Sequence, residues 1–472
     1  MPLAWVDEVA GLEPAINFLQ GNGYTSQLWP QQGVDKQFLA YLPLQGWLHI
    51  ISQTFLDFSV YLVRLPYAIY LLIGGYFLYK TLLSKDIKLL TALIVVVLVL
   101  NEKSLFETTR GVRIEPITFM LLSIAMYCKV RKNLVGVVSA ASLLILVHPN
   151  VWAAAGILLV SAFYDKNDAE HKKLWRFIKP NVLWLVPIAL LIFFLLFIHF
   201  DVDLLFAQFT NQAERHTSFG GLGTHFYNHF VRRFWPYYFT QPYIPLLVYF
   251  ALGYAIYCIV KRRSTPASYA LLLTHLVWFA ILGPMHRYNS VLVSISLFTV
   301  LPLISRVHLS KQSLIYTLLT ILVLGVSCID VASRQVMALV QHEERKPEPF
   351  ISWLNQNIPG ESSIISGHEI AYYASVPNDD LDFFLFNTTP YRFDFDQYKN
   401  LYLISTAPQP DHQIISKYSV PISTQWSWIK NSGTKTYQGL YLLRANSVDS
   451  YNTALKKMKK KNTAERSKFR YQ

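Results

Sequence analysis

Two adjacent carboxylates, Asp7 and Glu8, open the stretch DEVAGLEPAINFLQGNGYTS. A carboxylate can take the proton from an attacking hydroxyl as a new bond forms, and a neighbouring acid can orient it. The competing reading is helix capping, because an acid at a helix start satisfies free backbone N–H groups and favours the helix dipole. Val9, Leu12, Ile16 and Leu19 recur at helical spacing, so the pair is expected on a short amphipathic helix. Gly21, Gly23 and Ser26 then turn the chain.

Four further clusters carry groups suited to chemistry. In RGVRIEP, Glu115 stands where an apolar run begins, and a carboxylate at a lipid boundary needs a partner or water. Arg113 can fork onto a phosphate, or onto Glu115 itself as a structural ion pair. His148, in HPN between two apolar runs, is either a ligand or hydrogen-bonding support, or simply part of a turn. In MHRYN, Arg287 can grip a phosphate headgroup, with His286 and Tyr288 beside it as support. It can equally be an interfacial arginine that snorkels beside an anchoring tyrosine. The segment 200–241 gathers His216, His225, His229, Arg232 and Arg233 among glycines, a composition expected of a mobile substrate loop. Its histidine spacings fit no standard zinc pattern.

These clusters must be positioned by a membrane protein. Of 472 residues 53% are hydrophobic and 15% charged, and apolar runs near bilayer-crossing length recur through the first two-thirds. Ten spans are expected, at 66–84, 89–100, 114–128, 133–147, 150–164, 181–199, 242–260, 266–283, 288–305 and 312–330. Lys and Arg fill one set of alternate loops, around 85, 131, 172, 262 and 306–311, which places that set in the cytoplasm. Asp7, Glu8, Glu102, Glu107, Glu115, His148, His225, His286 and Arg287 then fall on the outer side, and an outward-facing polar site is expected. The net charge of +13 follows from those loops, and nucleic acid is not the expected partner. Cys128, Cys258 and Cys328 are scattered through apolar spans and read as packing residues.

The last third changes character. SSIIS, DFFLF, NLYLIS and GLYLLRA read as short strands, and PFISWLNQN and QIISKYS as helix-like, so a small outer α/β domain is expected. The fold class is therefore an α-helical polytopic membrane protein with about ten spans and a small C-terminal extracytoplasmic α/β domain. Its parts are a first outer loop at 1–65, a transmembrane domain at 66–331, an α/β domain at 332–446 and a basic tail at 447–472. No phosphate-cradling glycine loop, nucleophile elbow or HExxH motif is present. No internal repeat or pair of broken helices is evident, which counts against a transporter.

The acidic pair followed by NFLQGNGYTS, then YLPLQGWLHI, VRLP, RIEP entering a span, HPN, HRYN and a terminal WLNQNIPGESSII resembles the GT-C type glycosyltransferases that use polyprenyl-phosphate sugars. That family includes the protein O-mannosyltransferases and aminoarabinose transferases. The resemblance covers almost the whole chain through short motifs in a shared order. It implies an inverting transfer of a sugar from a polyprenyl-phosphate donor to an acceptor hydroxyl, on a protein, lipid or glycan, at the periplasmic face of the inner membrane. It implies that Asp7 is the base, with Glu8 beside it, and that Glu115 orients the base or the acceptor. Arg113 and Arg287 would hold the donor phosphate. No cofactor is certain, and a divalent metal is compatible with these residues. The family places a membrane helix directly before the acidic pair; the sequence lacks one there, and a missing first helix is the expectation. The alternatives are a transporter or flippase of lipid-linked sugars, and a non-catalytic membrane scaffold.

Overall fold

The computed structural model describes residues 6–26, 36–39, 41–56, 60–163, 185–216, 222–238, 240–281, 288–304, 348–359, 362–366, 381–385, 401–405, 412–419 and 440–445, with single positions between 325 and 346 and at 408. The chain divides into two compact units. One comprises Met1–Phe38, Gln53–Val60 and Ala332–Gln472, and the other Leu39–Ser52 and Tyr61–Val331.

In the first unit, helix α1 (Val6–Leu19) carries Asp7 and Glu8 as its second and third residues. Leu12 and Ala15 are buried, whereas Ile16 is half-buried and Leu19 exposed, so the packed face is narrower than the helical spacing implies. The expected turn follows, with Gly21 at φ +85° and Gly23 at φ +77°, a region that glycine enters without steric penalty. The Asn17 amide donates to the Thr25 carbonyl at 2.9 Å, and Ser26 donates to Glu13, which ties the turn back to the helix.

Farther along, helix α2 (Pro43–Phe55) belongs mainly to the second unit, and helix α16 (Glu348–Asn357) returns to the first. Strands β1 (Ser362–Ser366), β2 (Leu381–Leu385), β3 (Leu401–Ser405), β4 (His412–Tyr418) and β5 (Leu440–Ala445) form one sheet in the order β2-β1-β3-β5-β4. β1 runs parallel to β2 and β3, whereas β5 is antiparallel to β3 and β4. QIISKYS is strand β4, not the helix-like segment its apolar spacing implied. Two adjacent β-branched isoleucines favour the pleated form, and the ladder to β5 supplies the backbone partners. The Trp353 indole of α16 then donates to the Ser416 hydroxyl of β4 at 2.9 Å.

The second unit is helical: α3 (Val60–Leu83), α4 (Leu89–Leu100), α5 (Lys103–Arg110), α6 (Glu115–Val130), α7 (Leu134–Ile145), α8 (Trp152–Phe163), α9 (Leu185–Phe197), α10 (Val202–His216), α11 (Leu222–Phe226), α12 (Trp235–Tyr238), α13 (Tyr243–Val260), α14 (Pro266–Ile281) and α15 (Asn289–Ile304). Described helices occupy nine of the ten expected spans; 312–330 lies outside the described residues apart from isolated positions. Among the described residues two helices, at Leu62–Leu83 and Tyr243–Val260, are long and apolar enough to cross a membrane, or up to four spans if each of two bent pairs counts as one. Where lipid surrounds the backbone, intra-helical hydrogen bonding is the way to satisfy it, which suits runs such as LLTALIVVVLVL.

The described parts of 200–241 are largely helical rather than an open loop, and Phe206 and its neighbours continue the apolar pattern past a break. Two helix pairs are bent, α4 to α5 by 61° and α9 to α10 by 84°. Neither break is visible as a Gly or Pro interruption. Non-glycine residues in the left-handed region, His199 and Phe200, make the sharper one.

Helices α6, α7, α8, α14 and α15 pack in a closed cycle, each on the next and α15 back on α6. All residues from Asn289 to Leu301 of α15 are buried, and the hydroxyls of Ser294 and Thr299 donate to carbonyls one turn back in the helix. Glycine matters where α3 meets α6: a Cβ on Gly74 would stand 2.6 Å from Phe119 Cδ1, so the two backbones approach too closely for a side chain.

Candidate functional site

The site grows from the turn that joins α5 to α6. Glu102 caps α5, accepting from Ser104 N at 2.8 Å and Leu105 N at 2.7 Å, and its Oε1 also accepts from Tyr237 Oη at 2.6 Å. Gln241 accepts from Lys103 N at 2.9 Å and donates to the Asn101 carbonyl at 2.6 Å. The start of α5 is thereby fastened to α12 and the residues after it. Burial and the Glu102 charge push the Tyr237 phenol well above its ordinary range, so it stays a donor. Burial raises the Glu102 pKa to about 7, and Tyr237→Phe, which leaves that buried carboxyl without its phenol partner, is expected to destabilise the protein by ~1–3 kcal/mol, read as a lower melting temperature in detergent.

Beyond Gly111 the chain turns at Val112, φ +51°, and α6 begins with Glu115 and Pro116. Proline is pre-set for a first helical turn, and a carboxylate there meets the positive end of the helix. Arg113 forks onto that carboxylate, with Nη2 at 3.0 Å from Oε1 and Nε at 3.3 and 3.2 Å from the two oxygens. Both side chains are buried, 7% and 0% exposed. Of the two roles open to Arg113 in the sequence, the geometry has it gripping Glu115. Burial acts to lower the Arg113 pKa, but Glu115 and Tyr288 outweigh it and the net shift is upward.

Tyr288, immediately before α15, gathers the remaining motifs. The Arg113 guanidinium carbon lies 5.7 Å from its ring centre. The His148 ring is 5.4 Å away and the Trp278 ring 6.1 Å. His148 caps the short turn Pro149–Val151, its Nδ1 accepting from Asn150 N at 3.2 Å. The Asn150 carbonyl in turn accepts from Trp278 Nε1 at 3.0 Å. The Arg233 guanidinium stacks over Trp278 at 4.8 Å, and Asn289 Nδ2 donates to the Arg233 carbonyl at 3.2 Å. RGVRIEP, HPN, the Tyr288–Asn289 end of MHRYN and Arg233 of 200–241 thus converge from positions widely separated in sequence.

Arg233 is delivered by irregular backbone. A π-helical turn, Tyr227–Val231, runs into a 3-10 turn, Arg232–Phe234. Such π turns recur at functional sites because they re-aim side chains. This one sets His229 against His275 of α14, with Nε2 and Nδ1 2.8 Å apart, one helical turn from the Arg233–Trp278 contact. Burial, then the Arg233 charge, lowers the His229 pKa to about 2, so the imidazole is neutral and one N–H bridges the pair. Burial lowers the Arg233 pKa to about 9, against an opposing contribution from Tyr288, and the guanidinium remains charged at neutral pH.

Asp7 and Glu8 lie on α1 in the first unit, and their side chains are outside the described residues, as are His286 and Arg287. Among the described residues no three metal-ligating side chains gather. Trp278 was not singled out by its sequence, although a tryptophan three residues from His275 in an apolar run was an available signal. Glu102 and Tyr237 are 135 positions apart, and no local pattern pairs them.

No family model matches the chain, and no curated protein matches its sequence. Its fold is similar to that of ArnT from Cupriavidus metallidurans. The likeness to the structure bound to undecaprenyl phosphate has a TM-score of 0.55 at 10% identity over 94% of each chain. For the apo structure the TM-score is 0.54 at 10% identity, again over 94% of each chain. At that identity the two proteins share a fold.

Proposed function

We propose that this chain is a membrane glycosyltransferase that moves a sugar from a polyprenyl-phosphate donor to an acceptor hydroxyl on the periplasmic face, with inversion. The observation that carries the reading is the ArnT-like fold over nearly the whole chain, in which motifs from four distant segments meet around Tyr288. ArnT was captured with undecaprenyl phosphate, and a lipid-linked phosphate suits a site that combines buried cations with apolar helices.

In the proposed reaction the acceptor oxygen attacks the anomeric carbon from the face opposite the phosphate. The carbon–oxygen bond to phosphate breaks, polyprenyl phosphate leaves with the bonding pair, and the acceptor proton passes to Asp7, beside Glu8. Glu115 orients the reacting groups from a position fixed by Arg113. Arg233, with Arg287, supplies the charge that stabilises the departing phosphate; fixed donors aimed at developing charge do this without reorganisation. The donor remains anchored by its chain, since each buried CH₂ contributes about 0.8 kcal/mol, so the chemistry takes place at the interface.

Undecaprenyl phosphate is expected to raise the melting temperature of the purified protein, and Arg233→Met to weaken its binding by roughly tenfold or more, the loss of one charge-assisted contact. Arg233→Lys, which keeps the charge without the planar fork, is expected to fall between. No stabilisation of the wild type overturns the donor assignment, and unchanged binding by Arg233→Met overturns the role of Arg233. The transporter reading draws support from the two bent helix pairs, since broken helices carry substrate sites in transporters.

A further inference from the structure

We propose that Gln45 is a positioning residue for the transfer: through the Val112 carbonyl it holds the left-handed turn that aims the Arg113–Glu115 pair. The proposal rests on the transferase reading and adds to it a residue that none of the sequence motifs marks as chemical.

The turn is strained. Val112 is fully buried at φ +51°, and a β-branched residue in that region is an outlier that persists only where its surroundings fix it. Gly111, next to it, keeps an ordinary φ of −92°, so the strain falls on the valine although a glycine stands one residue away. It also falls directly beside Arg113, whose own N–H donates to the Thr108 carbonyl at 3.1 Å.

Gln45 meets that strain from α2. Its Nε2 donates to the Val112 carbonyl at 2.7 Å and to Tyr67 Oη at 3.1 Å, which uses both amide hydrogens. Tyr67 Oη lies 3.0 Å from His49 Nε2, one helical turn beyond Gln45 on α2. Burial lowers the His49 pKa to about 3, so the ring is neutral, and in its Nδ1–H tautomer Nε2 accepts the phenol proton. The two bonds that Gln45 donates therefore have a fixed direction. A flipped Gln45 would set its oxygen against the Val112 oxygen. Gln45, His49, Tyr67 and Val112 are all at most 3% exposed, so water cannot substitute for a lost donor. The clamp ties α2 and α3 to the turn that carries the ion pair.

The test is a double-mutant cycle on the full chain, read by melting temperature and by transfer from an undecaprenyl-phosphate-linked sugar. Gln45→Glu keeps the shape and removes the donors; Gln45→Met repeats the loss without a charge. Misplacing the ion pair is expected to lower kcat roughly 10- to 100-fold with KM changed by about twofold or less. In the Val112→Gly background, where the left-handed turn needs no clamp, the same Gln45 changes are expected to lower kcat by only about twofold and the melting temperature by less than in the parent. Equal losses in both backgrounds overturn the proposal, as does a loss confined to KM. A wild type without transfer overturns the transferase reading alone. The melting-temperature cycle then decides the clamp by itself, non-additive losses supporting it and additive ones overturning it.

Discussion

Glu115→Ala is expected to lower the melting temperature sharply and to abolish transfer. The carboxylate is fully buried and receives a side-on fork from Arg113. Removing it leaves a guanidinium out of water with its countercharge gone, a loss on the order of 3–5 kcal/mol. Arg113→Ala leaves the complementary orphan and is expected to behave alike, although Glu115 can take up a proton and soften the effect. The double variant Arg113→Met with Glu115→Leu separates structure from chemistry. Apolar side chains of similar volume can replace a buried ion pair with little or no loss of stability. The double variant should therefore recover most of the melting temperature and none of the activity. If it recovered activity as well, the pair would be a structural ion pair and Glu115 would have no role in orienting the reaction.

Asp7→Asn is expected to reduce kcat by roughly 10²–10⁴-fold, the usual contribution of a positioned general base, with stability almost unchanged. The substitution also discriminates between the two readings of an acid in the first turn of α1. As the second residue of the helix Asp7 acts structurally through the dipole, and loss of its charge removes only ~0.3–1 kcal/mol. A residue with that role alone would thus tolerate the change, whereas a base would not. Asp7→Glu, which keeps the carboxylate and displaces it by one methylene, should retain part of the activity. Glu8→Gln supplies the control on the same helix.

What could be read from the chain, and what could not, follows the range of the interactions involved. Helices such as α4 and α13 announce themselves through uninterrupted apolar runs, and the turn at Gly21 and Gly23 through residue type alone. QIISKYS misled because three apolar residues in a seven-residue segment fit either period, and its pairing with β5 decided the outcome. The helices within 200–241 were masked by glycines and histidines, which report composition and not conformation. RGVRIEP, HPN and HRYN were each visible as polar interruptions in apolar sequence. That Tyr288 and Trp278 would bring the first two motifs to Arg233 depended on the α6–α7–α8–α14–α15 packing, which no window of sequence contains. Gln45 shows the same limit: its polar amide amid YLPLQGWLHI is conspicuous, but its partner lies 67 positions away.

A lipid-phosphate sugar transferase and a flippase of the same lipid differ in one product. With the purified chain in proteoliposomes, an undecaprenyl-phosphate-linked sugar and a candidate acceptor, the account predicts free undecaprenyl phosphate released in step with glycosylated acceptor, and both products slowed by roughly 10²–10⁴-fold in Asp7→Asn. Donor that crosses the bilayer with its sugar–phosphate bond intact, or release undiminished in Asp7→Asn, would contradict it.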